Sequence, residues 1–201
     1  MNIKKTAKTT LQFTINRVIE IFGLFISIIG ILLFVALISY SPNDPNFIFP
    51  ENTDIHNLLG FKGSYISDLF FQSIGIISYL ISITLAITGF NIIRNKDLFL
   101  IIENTFFSIL YSILGTIFFN FFYQYAFELY ANGNGGFVGQ HLNQIFFGDL
   151  INLQKTFSYY LLLILIIGLF LVSANFNPKK FWFFLKGILN FFNKNQNRSY
   201  T

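Results

Sequence analysis

The sequence predicts an all-α membrane protein. It has four transmembrane helices, an N-in/C-in topology, a short outer-surface or re-entrant helix before span four, and a C-terminal interfacial amphipathic helix. Three observations carry that prediction. The 201 residues are 54% hydrophobic and only 11% charged, with a mean hydropathy of +0.60, whereas a soluble domain carries about 25% charged residues. Four segments each supply the roughly 20 apolar residues needed to cross about 30 Å of hydrocarbon. Eleven of the 13 basic residues fall on one side of those segments.

Residues 1–17 form a basic cytoplasmic tail with Lys4, Lys5, Lys8 and Arg17. Span one follows from about Val18 to Tyr40, "VIEIFGLFISIIGILLFVALISY". A basic start before an apolar run also describes a signal peptide, but this run is too long and no A-x-A-like site follows it. Span two runs from about Leu69 to Phe90, span three from Phe99 to Phe122 and span four from Phe157 to Asn175, completing a membrane domain over 18–175. Glu103 and Asn104 interrupt span three near its start, where a glutamate snorkels to the interface at modest cost. The loop between spans two and three holds Arg94 and Lys96, and Lys179, Lys180, Lys186, Lys194 and Arg198 follow span four. Only Lys62 and Lys155 remain for the other side. By the positive-inside rule both termini are cytoplasmic, which explains the net charge of +4 without nucleic acid.

The outer loops are 41–68 and 123–156. The first opens with "SYSPNDPNF", residues 39–47. Pro42 lacks an N–H and drives Ser41 out of helical geometry. Asn43 and Asp44 suit Asx-type turns and Pro45 fixes the next one, while Tyr40 and Phe47 lie where aromatic rings favour the headgroup level. The second loop holds "NGNGGFVGQHLNQIFFGDL", residues 132–150. Its glycines permit a tight reversal, and Phe137, Val138, Leu142, Ile145 and Phe146 recur at helical spacing. A phosphate-binding loop is excluded because no Gly-Lys-Ser/Thr follows. After span four, residues 176–201 carry Pro178 and the apolar face Phe181, Trp182, Phe184, Leu185, Ile188, Leu189 and Phe192 flanked by lysines. That segment reads as a cytoplasmic interfacial helix followed by the start of a linker.

Little chemistry is encoded. Cysteine is absent, so no thiol nucleophile or disulfide exists. His56 and His141 occupy separate loops, and even with Asp44 and Asp54 they lack metal-ligand spacing. No catalytic, cofactor or metal residue is assigned. Small residues instead form stripes on the spans: Gly23, Ser27 and Gly30 on the first, Ser78, Ser82 and Ala86 on the second, and Ser108, Ser112 and Gly115 on the third. Such stripes let helix backbones approach closely. A transporter would show broken helices or charged residues at the midplane, and the sequence predicts neither.

Three segments together, "LISYSPNDPNF", "IHNLLGFKGSYISDLFFQSIGIISYLI" and "NGGFVGQHLNQIF", resemble the N-terminal four-span domain of the FtsK/SpoIIIE DNA translocases. The family's serine-aspartate-proline corner after span one is matched by Ser41, Pro42, Asp44 and Pro45. Its N-x-x-G-x-x-G-x-x-x-(S/A)-D segment is matched by Asn57, Gly60, Gly63, Ser67 and Asp68. Its glycine-glycine-x-(I/V)-G segment is matched by Gly135, Gly136, Val138 and Gly139. The resemblance covers roughly residues 15–192. It implies a multi-pass domain of the bacterial inner membrane that anchors a motor at the division septum and serves as a division-site scaffold in cell division and chromosome segregation. Division proteins and the lipid bilayer are the implied partners, with self-association as a hexamer through the motor. The motor's Walker sequences and winged helix are not in these residues, so neither ATP hydrolysis nor direct nucleic-acid binding is expected of them. A small four-span transporter or channel subunit is the alternative, and an integral-membrane enzyme is third.

Overall fold

The computed structural model describes residues 3–45, 54–126, 132–179 and 186. Helix α1, Ile3–Ile38, is 36 residues long, about 54 Å at 1.5 Å per residue. It therefore outreaches the hydrocarbon core and includes the basic segment placed before span one. Nothing stops it earlier, because no Gly or Pro occurs between Ile3 and Phe22 and both are the strong helix breakers. Glu20 is held by Arg17 on its own helix and by Lys96 from the loop after span two, which marks one end of the apolar stretch. The helix ends at Ile38, just ahead of Ser39, Tyr40 and the proline corner.

Span two is not one helix. Helix α2, Gly60–Ile74, gives way to a 3₁₀ turn at Gly75–Ile77, from which α3, Ser78–Asn95, departs. The continuous helix expected over 69–90, and with it the expectation of no broken helices, is corrected here. The cause is Gly75, whose φ of +64° and ψ of −145° suit glycine alone. A Cβ on it would stand 1.9 Å from the Asn134 carbonyl oxygen. The chain redirects there, so that α2 contacts the Leu33–Tyr40 end of α1 while α3 lies along its length.

Lys96 closes α3 in a left-handed conformation, its N–H reaching the Ile92 carbonyl at 2.8 Å. Asp97 then accepts from the Phe99 N–H at 2.9 Å and opens α4, Phe99–Tyr123. The second outer segment holds α5, Gly136–Leu142, a π-helical turn at Asn143–Phe147 and α6, Gly148–Leu153. Helix α7, Lys155–Ser173, completes the bundle. Four helical segments are thus long and apolar enough to cross a membrane, and no strand occurs among the described residues. Of the expected C-terminal interfacial helix only Pro178, Lys179 and Lys186 are described, and they are helical; the rest, from Phe181 to Phe192, lies outside the described residues.

The bundle is two tight helix pairs, α1 with α3 and α4 with α7, meeting along a sparser contact between α3 and α4. The first pair packs backbone on backbone: a Cβ on Gly30 would meet the Ala86 nitrogen at 2.3 Å, and the Ser27 hydroxyl donates to the Ala86 carbonyl at 3.1 Å. Hydrocarbon offers no hydrophobic gain for such contact, so close van der Waals packing supplies it. The second pair buries Tyr111, Phe118 and Ile166. Hydrogen bonds join the pairs: Thr84 of α3 to Tyr111 of α4 at 3.0 Å and to Ser173 of α7 at 3.2 Å. Nearer the Lys96 end, Asn104 donates to Thr88 at 2.8 Å and to Asn175 at 3.0 Å. Between α3 and α4 a cleft of about 340 Å³ remains, lined by Ile81, Leu85, Ser108, Ile109, Ser112 and Val138 among others.

Candidate functional site

The corner after α1 is built inward from backbone geometry. The Asp44 N–H donates to the Ser41 carbonyl at 3.2 Å and the Asn43 N–H to the Ser41 hydroxyl at 3.3 Å. These turns aim the Asp44 side chain into the protein, where its residue is 4% exposed. A buried carboxylate needs compensating donors. It finds the N–H groups of His56 at 2.9 Å and Asn57 at 2.8 Å, with the His56 Nδ1 at 3.1 Å. Residues 41–45 and 56–57 are thereby clasped together by one side chain.

Asn57 extends the clasp. Its Nδ2 donates to the Ala36 carbonyl in the last turn of α1 at 2.8 Å, satisfying one of the carbonyls a helix end leaves open. Its Oδ1 accepts from the Leu59 N–H at 3.1 Å, and the turn closes where the Gly60 N–H meets the Asn57 carbonyl at 2.9 Å. Gly60 enters α2 with a φ of +66°. Gly63 makes room for the asparagine, since a Cβ there would lie 2.1 Å from Asn57 Oδ1. On the same face of α2 the Ser64 hydroxyl donates to the Pro45 carbonyl at 2.9 Å, and Ser67 lies 3.4 Å from Asn57 Nδ2.

Asp68 carries the network further. Tyr40 donates its hydroxyl to Asp68 Oδ1 at 3.1 Å, and Gln72 approaches the same oxygen at 3.4 Å. Burial, and then the neighbouring Asp68 carboxylate, push the Tyr40 phenol well above its ordinary pKa, so it stays neutral and donating. Gln72 in turn accepts from the Asn132 N–H at 3.3 Å, and Asn132 donates back to the Gln72 carbonyl at 3.2 Å. Gln140 of α5 then donates to the Asn132 carbonyl at 3.0 Å. The two outer segments, separate in sequence, form one continuous network.

The glycine segment forms a second contact. Gly135 and Gly139 press on α4, where added Cβ atoms would sit 2.4 and 2.3 Å from the Thr116 carbonyl oxygen. Gly136, with a φ of +63°, presses on Ser73 of α2. The Ile76 N–H donates to the Asn134 carbonyl at 3.0 Å, so the backbone freed by the break at Gly75 is paired by this segment. Asn143 pins the π-helical turn to α4 through Asn120 Oδ1 at 2.7 Å and the Ile117 carbonyl at 3.2 Å.

Ser41, Pro42, Asp44, Pro45, Asn57, Gly63, Ser67 and Asp68 therefore converge, while Gly135 and Gly139 pack against α4 and Gly136 against α2. Gly60 stands apart, with open space about it. The sequence does not single out Gln72, Asn132, Asn120 or Asn143: Gln72 and Asn120 are lone amides in apolar runs, and Asn132 and Asn143 are each one polar residue among several. Of the small-residue stripes, Gly23, Ser27 and Gly30 face α3 through Ala86 and Gly89. Ser78 and Ser82 are buried and bonded to the Gly75 and Tyr79 carbonyls. Gly115 receives Ile77, whereas Ser108 and Ser112 line the α3–α4 cleft. Phe47 and residues 46–53 and 127–131 lie outside the described residues. Among those described, no three His, Asp or Glu side chains converge on a metal-sized site, and His141 stacks on Phe137 instead.

The chain matches the family described as the 4TM region of DNA translocase FtsK/SpoIIIE over residues 16–182. It is 26% identical over 181 residues to the DNA translocase FtsK of Rickettsia typhi, covering 89% of this chain and 23% of that protein. With the DNA translocase FtsK of Azospirillum brasilense it shares 32% identity over 90 residues, 44% of this chain and 14% of that protein. With that of Rickettsia bellii it shares 34% over 74 residues, 37% and 10% respectively. The chain thus spans less than a quarter of the length of these relatives. No solved structure matches it. On the profile match across most of its length, with four helices able to cross a membrane, the chain belongs to the FtsK/SpoIIIE 4TM family.

Proposed function

We propose that the chain is the membrane anchor and division-site scaffold of an FtsK-like DNA translocase, seated in the bacterial inner membrane at the septum with both termini cytoplasmic. The observation that carries this reading is the Asp44-centred cap. Side-chain hydrogen bonds hold one end of the bundle in a defined shape, while no three His, Asp or Glu side chains converge among the described residues. A defined surface suits docking of other division proteins. The excess of Lys and Arg in 1–17, at 94–96 and after span four supports the orientation, on which the cap would lie outside the cytoplasm. In that frame α5 is re-entrant, meeting α4 at Thr116 below its end. Catalysis and nucleic-acid binding belong to parts of the family outside these residues, and hexamer formation would come through the motor.

The alternative of a transporter or channel subunit draws on one observation, the broken helix at Gly75 beside α5. Against it, the broken backbone is paired by Asn134, and the adjacent cleft carries no ionisable side chain. The test is to replace Pro42, Asp44 and Pro45 together by alanine in the native gene. Septal function falls while membrane insertion is retained; normal division at normal protein levels rules the scaffold reading out.

A further inference from the structure

Helix α2 carries a contradiction on one of its faces. Lys62 is exposed between Leu58, Phe61, Ile66 and Leu69, all large, apolar and exposed. A cation set in an exposed apolar face is what a helix lying at a membrane interface presents. Among the described residues Lys62 makes no hydrogen bond or ion pair. Beside it, α1 and α2 leave a groove of about 500 Å³ lined by Leu32, Ala36, Leu59, Lys62, Ile66 and Phe70 among others. Apart from Lys62 its walls are apolar or glycine.

We propose that this groove is a binding site for one anionic phospholipid, whose acyl chain lies between α1 and α2 and whose headgroup phosphate meets the Lys62 ammonium. Charge complementarity selects this occupant. A helix from a second copy would bring apolar residues to the groove and leave the ammonium unpaired at its mouth, whereas an anionic lipid satisfies both parts at once. The bound lipid would brace α2 against α1 beside the Asp44 clasp, whose Asn57 touches Ala36, Leu59 and Gly63 of the same groove. The site depends neither on the scaffold reading nor on which leaflet the cap faces.

The chain's one tryptophan, Trp182, and its lack of cysteine make a fluorescence test direct. A W182F background carrying I66W is reconstituted in phosphatidylcholine vesicles in which a tenth of the lipid is chain-brominated. The brominated lipid is either phosphatidylglycerol or phosphatidylcholine. One lysine near a membrane surface is worth about fivefold in affinity for an anionic lipid. Quenching by brominated phosphatidylglycerol should report about that preference, K62Q should abolish it, and I164W on the exposed face of α7 should show none. Equal quenching by both headgroups with Lys62 present overturns the proposal, as does an I66W signal that neither lipid quenches, which would mean a protein segment fills the groove. Native mass spectrometry of the unmutated chain and K62Q supplies a readout free of the tryptophan. The unmutated chain retains one more phosphatidylglycerol than K62Q; equal retention overturns the site.

Discussion

Asp44 shows how much one side chain does here. It answers two backbone N–H groups and an imidazole from a segment 12 residues away, and removing it leaves the buried Asn57 N–H without its acceptor. Asp44→Ala should cost about 2–3 kcal/mol, by the worth of hydrogen bonds to a charged group and the cost of an orphaned donor, read as a lowered melting midpoint of the detergent-solubilised chain. Tyr40 adds a pH signature. Its folded pKa is raised above the unfolded value near 10. Above that pH the unfolded chain releases a proton that the folded chain keeps, so the Tyr40 contribution is fully present below about pH 10 and lost as pH climbs. The melting-point advantage of the unmutated chain over Tyr40→Phe should therefore be constant from pH 7 to 9 and shrink above 10; a constant gap through pH 11 would refute the assignment. Two glycines give a contrast. Gly75→Ala combines a left-handed φ with a collision against the Asn134 carbonyl and should cost about 2 kcal/mol or more. Gly168→Ala meets nothing within 4 Å and should be neutral or stabilising by up to about 1 kcal/mol.

Among the elements, the α1–α3 pair depends on backbone contact. In this cysteine-free chain, S27C with A86C should cross-link efficiently through a short thiol reagent in native membranes. Adding Gly30→Val should abolish the cross-link by wedging a side chain against the Ala86 backbone. Cross-linking that survives the valine would show that another surface holds the pair. The spans themselves were legible because length and hydropathy are properties of one segment. Their ends and interruptions were not. That α1 already includes the basic stretch follows from the absence of a breaker, not from a signal, and a basic stretch before an apolar one reads as a tail. The break at Gly75 was hidden because a glycine in an apolar run looks like a packing residue; only the Asn134 carbonyl, some sixty residues on, shows why a side chain is forbidden. The motif residues of the corner were visible as turn formers, but the acceptor role of Asp44 needed the loop that folds onto it. Gly135 and Gly139 were read as a reversal, and in the fold they are also a contact surface for Thr116.

For the molecule as a whole, rigidity is concentrated at one end. The Asp44 clasp, the Tyr40–Asp68–Gln72–Asn132–Gln140 chain and the glycine contact all lie beyond or near the ends of α1 and α4 away from Lys96. The opposite end is held by the Glu20 ion pairs and the Asn104–Asn175 contact. A chain whose task is to sit in a bilayer and present a surface to division proteins would be organised in this way, and the relatives it matches continue well beyond the region it covers. The most direct measurement is fluorescence imaging of the 201-residue chain, tagged at its C-terminus, in dividing bacteria. The account predicts a band at the septum that collapses to even membrane fluorescence when Pro42, Asp44 and Pro45 are replaced together. Even fluorescence from the unaltered chain in cells with active septa would contradict it.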